Sequence, residues 1–278
     1  MHHALRLPLL AALLLPLGSS GCYFGFAQVH AEEVIEETFE VAGEPTVDVD
    51  SFNGSIKVEP GESGRVMVRV IKKVGAETEE VAVGRLGDIE VAMGETEPDH
   101  IRVTAKLRSK GLVSGSYGAR VELVVPAKAT LQLRTSNGNV TVTDVNGSVT
   151  ARSTNGSLKV QGNAVMNLNS SNGNIEVIGD QITVTADTTN GSIMLKGSLA
   201  QAVHSLTTSN GSIRLQLPGD SQFHLDAATS NSRVECSFQV ETKTAGKRDR
   251  TLTGTVGSDP KTSLKLRTSN GNIRILKE

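Results

Sequence analysis

The carboxylates of the central repeats, Asp144, Glu176, Asp180, Asp187, Asp220 and Asp226, are the groups from which acid–base chemistry would have to be assembled. Glycan cleavage needs two carboxyl groups converging on one bond. Counted from the preceding Asn-Gly dipeptide, these six fall 7, 4, 8, 15, 10 and 16 residues on. Different offsets assign them to different columns of a repeating structure, so the spacing pairs no two of them, and solvated surface charge is the expected role. His204 and His224 each lie 14 residues past an Asn-Gly, at Asn190 and Asn210. They could stack in neighbouring coils; with Asp226 they would make a minimal metal site, and without it two exposed or stacked imidazoles. Neither a calcium-binding Gly-Gly-x-Gly-x-Asp nonapeptide nor a Ser-His-Asp signature occurs. The sequence therefore assigns no catalytic, metal or cofactor residue.

The elements that must carry these groups are set by a repeat. Asn-Gly begins at Asn53, Asn137, Asn146, Asn155, Asn172, Asn190, Asn210 and Asn270, with a degenerate Asn231-Ser232. From Asn137, leaving Asn146 aside, the central intervals are 18, 17, 18, 20 and 21 residues. A Ser/Thr pair precedes most copies, as in Thr135-Ser136 and Ser153-Thr154. After each Gly come Ser or Asn and then two apolar residues separated by one, such as Leu158 and Val160, or Ile175 and Val177. That alternation marks a strand with one buried face. A second corner is expected at Gly162, Gly179, Gly197 and Gly219, with Asn146 in the same role. The corner residues are thus Asn137-Gly138, Asn155-Gly156, Asn172-Gly173, Asn190-Gly191, Asn210-Gly211 and Asn270-Gly271. Gly and Asn suit them because a sharp corner calls for left-handed backbone.

An antiparallel meander would use Asn-Gly as a hairpin turn, but has no reason to keep one motif at every second turn. Stacking supplies that reason, because like residues then sit over like about 4.8 Å apart. The expected fold is all-β, a β-solenoid of about seven to eight coils. Aromatic residues make up only 3% of the chain, with no Trp, which suits a thin core of Val, Ile and Leu. Ser/Thr and Asn columns would form ladders along the axis. Since neighbours on a strand point to opposite faces, each Ser/Thr pair sends one hydroxyl outward, in single file, where it stabilises the ladder, contacts a glycan or binds ice.

Before the repeat, residues 39–58 alternate and hold an early motif copy, residues 65–72 read as a strand, and residues 77–86 as the one short helix. Three strands follow near 89–93, 100–107 and 119–125, then a loop-rich stretch at 108–118 separates the last two. Residues 242–259, with Lys247, Arg248 and Arg250, are expected to form a hairpin or cap.

The first 21 residues read as a signal peptide. Arg6 precedes an apolar run from Leu7 to Leu17, about half the ~20 residues that span a bilayer. Small residues lead into Cys22, as in a lipoprotein box, so a lipid on Cys22 would anchor the chain to a membrane; ordinary cleavage after Ala31 is the alternative, giving a secreted or periplasmic form. Residues 22–38 are then a linker and 39–278 the domain, divided at 128 into N-terminal strands and repeats. Cys22 and Cys236 are the only cysteines; a bridge between them is conceivable, and Cys236 is expected as a buried free thiol. With 28 basic against 30 acidic residues and no basic run, nucleic acid is not an expected partner.

The order of signal segment, strands around a Glu-rich helix, "VELVVPAKATLQLRTSNGNVTV", repeated "TSNGSI" and a closing "SLKLRTSNGNIRILKE" resembles the bacterial putative-adhesin family of β-solenoid domains, a family of unknown function. The resemblance covers residues 39–278. It implies a surface-exposed or periplasmic β-helical domain and carries over no catalytic residue. The function expected is a non-enzymatic module of the cell envelope meeting a protein, glycan or wall partner. The alternatives are a stress or signalling accessory that binds a membrane protein, and a polysaccharide-active enzyme.

Overall fold

The computed structural model describes residues 29–108, 115–245 and 249–278. The signal segment and Cys22 lie outside the described residues. The N-terminal part holds β1 (Val29–Glu40), β2 (Thr46–Ser51), β3 (Ile56–Gly61), β4 (Arg65–Ala76), helix α1 (Glu79–Gly84), β5 (Ile89–Glu97), β6 (His100–Leu107) and β7 (Ser116–Pro126). The repeats give β8 (Thr130–Asn137), β9 (Val140–Val142), β10 (Ser148–Asn155), β11 (Leu158–Gln161), β12 (Val165–Ser170), β13 (Ile175–Thr188), β14 (Ile193–Leu199), β15 (Val203–Thr208) and β16 (Ile213–Leu217). The chain closes with β17 (Phe223–Thr229), β18 (Val234–Cys236), β19 (Glu241–Ala245), β20 (Thr251–Val256), β21 (Ser263–Thr268) and β22 (Ile273–Lys277).

Two N-terminal expectations change. The helix is shorter than residues 77–86 because Thr78 caps it, its Oγ1 accepting from Val81 N at 3.3 Å. Residues 29–38, read as linker, belong to β1, which pairs antiparallel with β4 from Val29↔Ala76 to Glu40↔Arg65. Their Glu-rich pattern hid the strand. Glu32, Glu33 and Glu36 meet Lys73, Lys72 and Arg69 at 3.2, 3.0 and 2.9 Å, so the charge is answered by the partner strand rather than by solvent alone.

The repeat strands form two facing layers. One runs β1-β4-β7-β3-β9-β11-β13-β14-β16-β22-β18, the other β5-β6-β2-β8-β10-β12-β13-β15-β21-β17-β20-β19. β13 belongs to both: it turns the corner between Gly179 and Ile182, where Gln181 has φ 51°. The strands therefore join into one 22-stranded sheet that bends around the core and is nearly closed. Successive repeats pair in parallel and in register, Leu158↔Ile175↔Ile193↔Ile213, which excludes the meander.

Among the described residues the fold is all-β with one short α-helix, but it is not a simple pile of seven to eight coils in chain order. β2 and β3 lie between β6/β7 and β8/β9, and the final strands β21 and β22 lie between β15/β16 and β17/β18. Antiparallel strands complete the two ends: β1, β4 and β5 at one, and the β19/β20 hairpin at the other. Near the second end Phe223 and Phe238 meet edge to face at 5.3 Å, with Lys277 Nζ 5.6 Å from the Phe238 ring.

The core is thin because each layer contributes short branched side chains. Leu131, Leu133, Val149, Ala151, Leu168 and Val184 face Val140, Val142, Leu158, Val160, Ile175 and Val177, all essentially without exposure. Alternation decides which side chains enter, so β8 and β10 share one burial pattern, residue for residue.

At the Asn-Gly corner three interactions lock each rung to the next. The inner hydroxyl of the Ser/Thr pair donates to the glycine carbonyl of the adjacent rung: Thr135 to Gly54, Ser153 to Gly138, Ser170 to Gly156, Thr188 to Gly173, Thr208 to Gly191 and Thr268 to Gly211, all at 2.8–3.0 Å. The hydroxyls thus bond backbone, not one another. Each Asn donates Nδ2–H to the Oδ1 of its neighbour at 2.7–2.9 Å, in the order Asn155 to Asn137, Asn172 to Asn155, Asn190 to Asn172, Asn210 to Asn190, Asn270 to Asn210 and Asn231 to Asn270. The residue after Gly accepts the next rung's N–H, as Asn139 Oδ1 does from Ser157 N at 2.8 Å.

The glycines are required for a reason other than the expected one. At Gly156, Gly173 and Gly191 the backbone is not left-handed; a Cβ there would lie 2.0 Å from the carbonyl oxygen of the glycine in the adjacent rung. Space, not torsion, excludes a side chain. At the opposite corner Gly162 and Gly197 do have φ of 140° and 123°. Asn146 joins that corner as expected, its Oδ1 accepting from Asn163 N at 3.0 Å and Asn163 Oδ1 from Asp180 N at 2.8 Å. Gly219 turns between β16 and β17 at the same corner, but its would-be Cβ meets the Lys277 side chain at 3.2 Å and Glu278 O at 3.8 Å rather than a neighbouring corner carbonyl.

One imidazole lies in the core. His204 is fully buried; its Nδ1 accepts from Val184 N at 3.3 Å and its Nε2 donates to Ala200 O at 3.0 Å, which assigns the proton to Nε2. Burial pushes its pKa down, the Ala200 bond opposing in part.

Two outcomes follow from this packing. Gly173→Ala should cost about 2–4 kcal/mol in chemical denaturation, whereas Gly84→Ala, with nothing near the added methyl, should be neutral or gain up to about 1 kcal/mol. Because the unfolded chain protonates His204 more readily than the fold does, stability should hold at neutral pH and decline as pH falls below about 6.5. Denaturation midpoints at pH 7.5 and 5.5 should differ less in His204→Leu than in the native protein, even though the variant is weaker at both.

Candidate interaction surface

With the core apolar and the corners locked, chemistry is left to the outer faces, the Asn ridge and two clefts. On the layer containing β4, β7, β11 and β22 the outer charges form cross-strand pairs. Arg69 meets Glu36 at 2.9 Å and Glu122 at 3.6 Å, Lys159 meets Glu176 at 3.1 Å, and Arg274 meets Glu235 at 2.9 Å. Such exposed pairs add little stability each, but they neutralise the face. On the opposite layer the central rungs present uncharged groups in register: Thr150, Asn167, Thr185 and Ser205. The ridge between the layers carries the ladder Asn137–Asn155–Asn172–Asn190–Asn210–Asn270–Asn231. Beside it run the outer hydroxyls of Ser136, Thr154, Thr189, Ser209 and Ser269, all exposed and in single file.

The expected His pair is separated. β21 inserts between β15 and β17, so His204 registers with Leu264 and His224 with Ser263, one residue out of step. His204 therefore points into the core, and His224 points out, Nδ1 3.3 Å from Thr255 Oγ1. Asp226 is taken by Arg267, which binds its carboxylate and, at 2.7 Å, its backbone carbonyl. Among the described residues no group of three His, Cys, Asp or Glu side chains is arranged to hold a metal ion.

The acids separate as their offsets imply, with one exception. Glu176 pairs with Lys159 and Asp226 with Arg267, while Asp144 accepts from Gln161 at 3.4 Å. Asp180 and Asp220, however, line one polar cleft of about 410 Å³ with Gln181, Ser198 and Gln222. Their offsets of 8 and 10 concealed this. Both residues follow the opposite corner rather than the Asn-Gly one, so counting from that corner is the signal that brings them together. Asp180 Oδ1 already accepts from Ser198 Oγ at 3.1 Å.

Cys236 ends β18, half-buried, with its thiol pKa pushed up by burial and only partly opposed by a backbone bond at Phe238. That environment disfavours the reactive thiolate. Since Cys22 lies outside the described residues, a bridge to it has no geometry here.

No curated protein matches this chain. Solved structures similar to it include a putative cell adhesion protein from Clostridium sporogenes, at 13% identity over 88% of this chain and 100% of that one, with a TM-score of 0.30. A putative adhesin from Bacteroides fragilis is 12% identical over 88% and 97%, with a TM-score of 0.34. Another, from Parabacteroides merdae, is 10% identical over 88% and 96%, with a TM-score of 0.28. The family described as Toastrack DUF4097 matches residues 38–276, almost the whole of the stacked strands and their flanking corners, and the chain belongs to that family.

Proposed function

We propose that this chain is an exported, non-enzymatic interaction module of the cell envelope, a solenoid-like stack that displays a rigid polar surface to a glycan, wall or protein partner. The observation that carries the reading is the unbroken Asn ladder along an exposed ridge, flanked by free-standing hydroxyls at the strand spacing. Side chains fixed by one another lose little further entropy when a partner binds. Adhesin names among proteins of similar structure agree with this role without assigning a ligand. A stress or signalling accessory that docks on a membrane protein would use the same surface. The Asp180–Asp220 cleft favours one further reading, a polysaccharide-active enzyme, which would require turnover of a glycan abolished by Asp220→Asn.

The lead-in to Cys22 supports a lipid anchor, holding the stack at a membrane surface. Cys22→Ser should then move the protein from the detergent-extracted membrane fraction to a soluble exported form; a native N-terminus at Glu32 by mass spectrometry would contradict the anchor. Purified protein should co-sediment saturably with isolated envelope fragments, and sedimentation no greater than that of an unrelated β-rich protein would contradict the interaction role.

A further inference from the structure

The Arg267–Asp226 pair aside, the two outer faces handle charge differently. One layer neutralises its cations across strands, as Arg69, Lys159 and Arg274 show. Over β6, β2, β8 and β10 of the other layer, Arg102, Lys106, Arg134 and Arg152 gather instead. Register places Asp48 beside Arg102 and Gln132, Asp50 beside Thr104 and Arg134, and Arg134 beside Arg152. All point outward, because the alternating Val49, Val103, Leu133 and Ala151 fill the core. Among the described residues Lys106, Arg134 and Arg152 have no carboxylate within ion-pair distance, and Arg102 Nη2 reaches Asp48 Oδ2 only at 3.8 Å. Arg134 and Arg152 are like charges on neighbouring strands, an unfavourable pairing, and the carboxylates beside the cluster, Asp48, Asp50 and Glu90, leave its four cations in excess.

Arg102, Lys106 and Arg134 line a cavity of about 230 Å³ whose other polar walls are Asp48, Asp50, Thr104 and Gln132. Asp48 Oδ2 is engaged by His100 Nε2 at 3.2 Å, while its Oδ1 is buried without a hydrogen-bond partner. An acceptor left so is costly, and Asp48 is one of the residues that line the cavity. The site therefore combines guanidinium forks for one anionic group with carboxylates that accept from hydroxyls.

We propose that this cavity binds a carboxylated sugar, the uronate unit of an acidic glycan. Arginine forks match a carboxylate in pairs of hydrogen bonds. Asp48 and Asp50 would accept ring hydroxyls, and the same two carboxylates repel the dense phosphates of nucleic acid or an anionic membrane. No aromatic side chain lines the cavity to stack a base. Its volume falls below the ~300–1,000 Å³ of drug-sized ligand pockets, consistent with one sugar unit at a time. The inference rests on the interaction-module reading and narrows it to one ligand class.

The test is calorimetric titration of the purified full chain with trigalacturonate, its methyl ester and inorganic phosphate. Trigalacturonate should bind, the ester at least tenfold more weakly, and added salt should weaken the acid form. Arg134→Gln and Arg102→Gln, both at exposed positions, should each lower affinity tenfold or more with unchanged melting. In the native protein the Thr104 and Gln132 amide resonances should shift on titration, a readout independent of the variants. No binding, equal binding of the ester, phosphate binding as tight as trigalacturonate, or an unaffected Arg134→Gln would overturn the site. A chain that ignores trigalacturonate yet still co-sediments with envelope fragments loses this site and keeps the interaction role; a chain that does neither loses both.

Discussion

One close approach governs the rest: the Asn-Gly corner glycine of each central rung lies so near the glycine carbonyl of the adjacent rung that a methyl group on Gly156, Gly173 or Gly191 would sit 2.0 Å from its oxygen. That approach brings the inner Ser/Thr hydroxyl within hydrogen-bond reach of the same carbonyl and aligns the Asn amides for their ladder. A buried carbonyl at a corner must otherwise find water or pay the cost of an unmade bond. Each of these hydrogen bonds contributes about 1 kcal/mol net, but repetition along the axis makes register the property they specify together.

Because every corner presents the same groups, any rung can stack on any other. The chain uses this freedom at both ends, where β2/β3 and β21/β22 occupy places out of sequence order. Inserting the last rung beneath β17/β18 leaves that earlier rung and its hairpin to complete the end. Open parallel edges invite further stacking, and antiparallel strands with charged side chains, β1 above all, blunt them.

The parallel stack, its alternating core and the Asn-Gly corners could be read from the sequence because they are local and repeat at a nearly constant interval. Their order could not. Nothing in the motif around Asn270 distinguishes it from the motif around Asn210, so the insertion of β21 was invisible, and with it the separation of His204 from His224. β1 was missed because its alternation is filled by Glu residues whose counter-charges, Lys72, Lys73 and Arg69, lie 33 to 41 residues away. Left-handed torsion, the expected reason for the corner glycines, holds at Gly54, Gly162 and Gly197, whereas at Gly156, Gly173 and Gly191 the close carbonyl is what excludes a side chain. The cation cluster around Asp48 and Arg134 joins β6, β2 and β8, which only the out-of-order stacking makes neighbours.

Rung order is the feature on which the rest of the structure depends, and one cross-linking comparison addresses it. Asn270 N bonds Ser209 O at 2.9 Å and Asn231 N bonds Ser269 O at 2.9 Å, so the exposed Ser209 and Ser269 are immediate neighbours while Ser209 and Ser230 lie two rungs apart. Disulfides need Cα atoms about 4.4–6.8 Å apart. Under mild oxidation, with Cys236 replaced by Ser in both proteins, Ser209→Cys with Ser269→Cys should cross-link in the folded state, and Ser209→Cys with Ser230→Cys should not. Efficient cross-linking of the second pair and not the first would mean that the rungs stack in sequence order, contradicting the insertion.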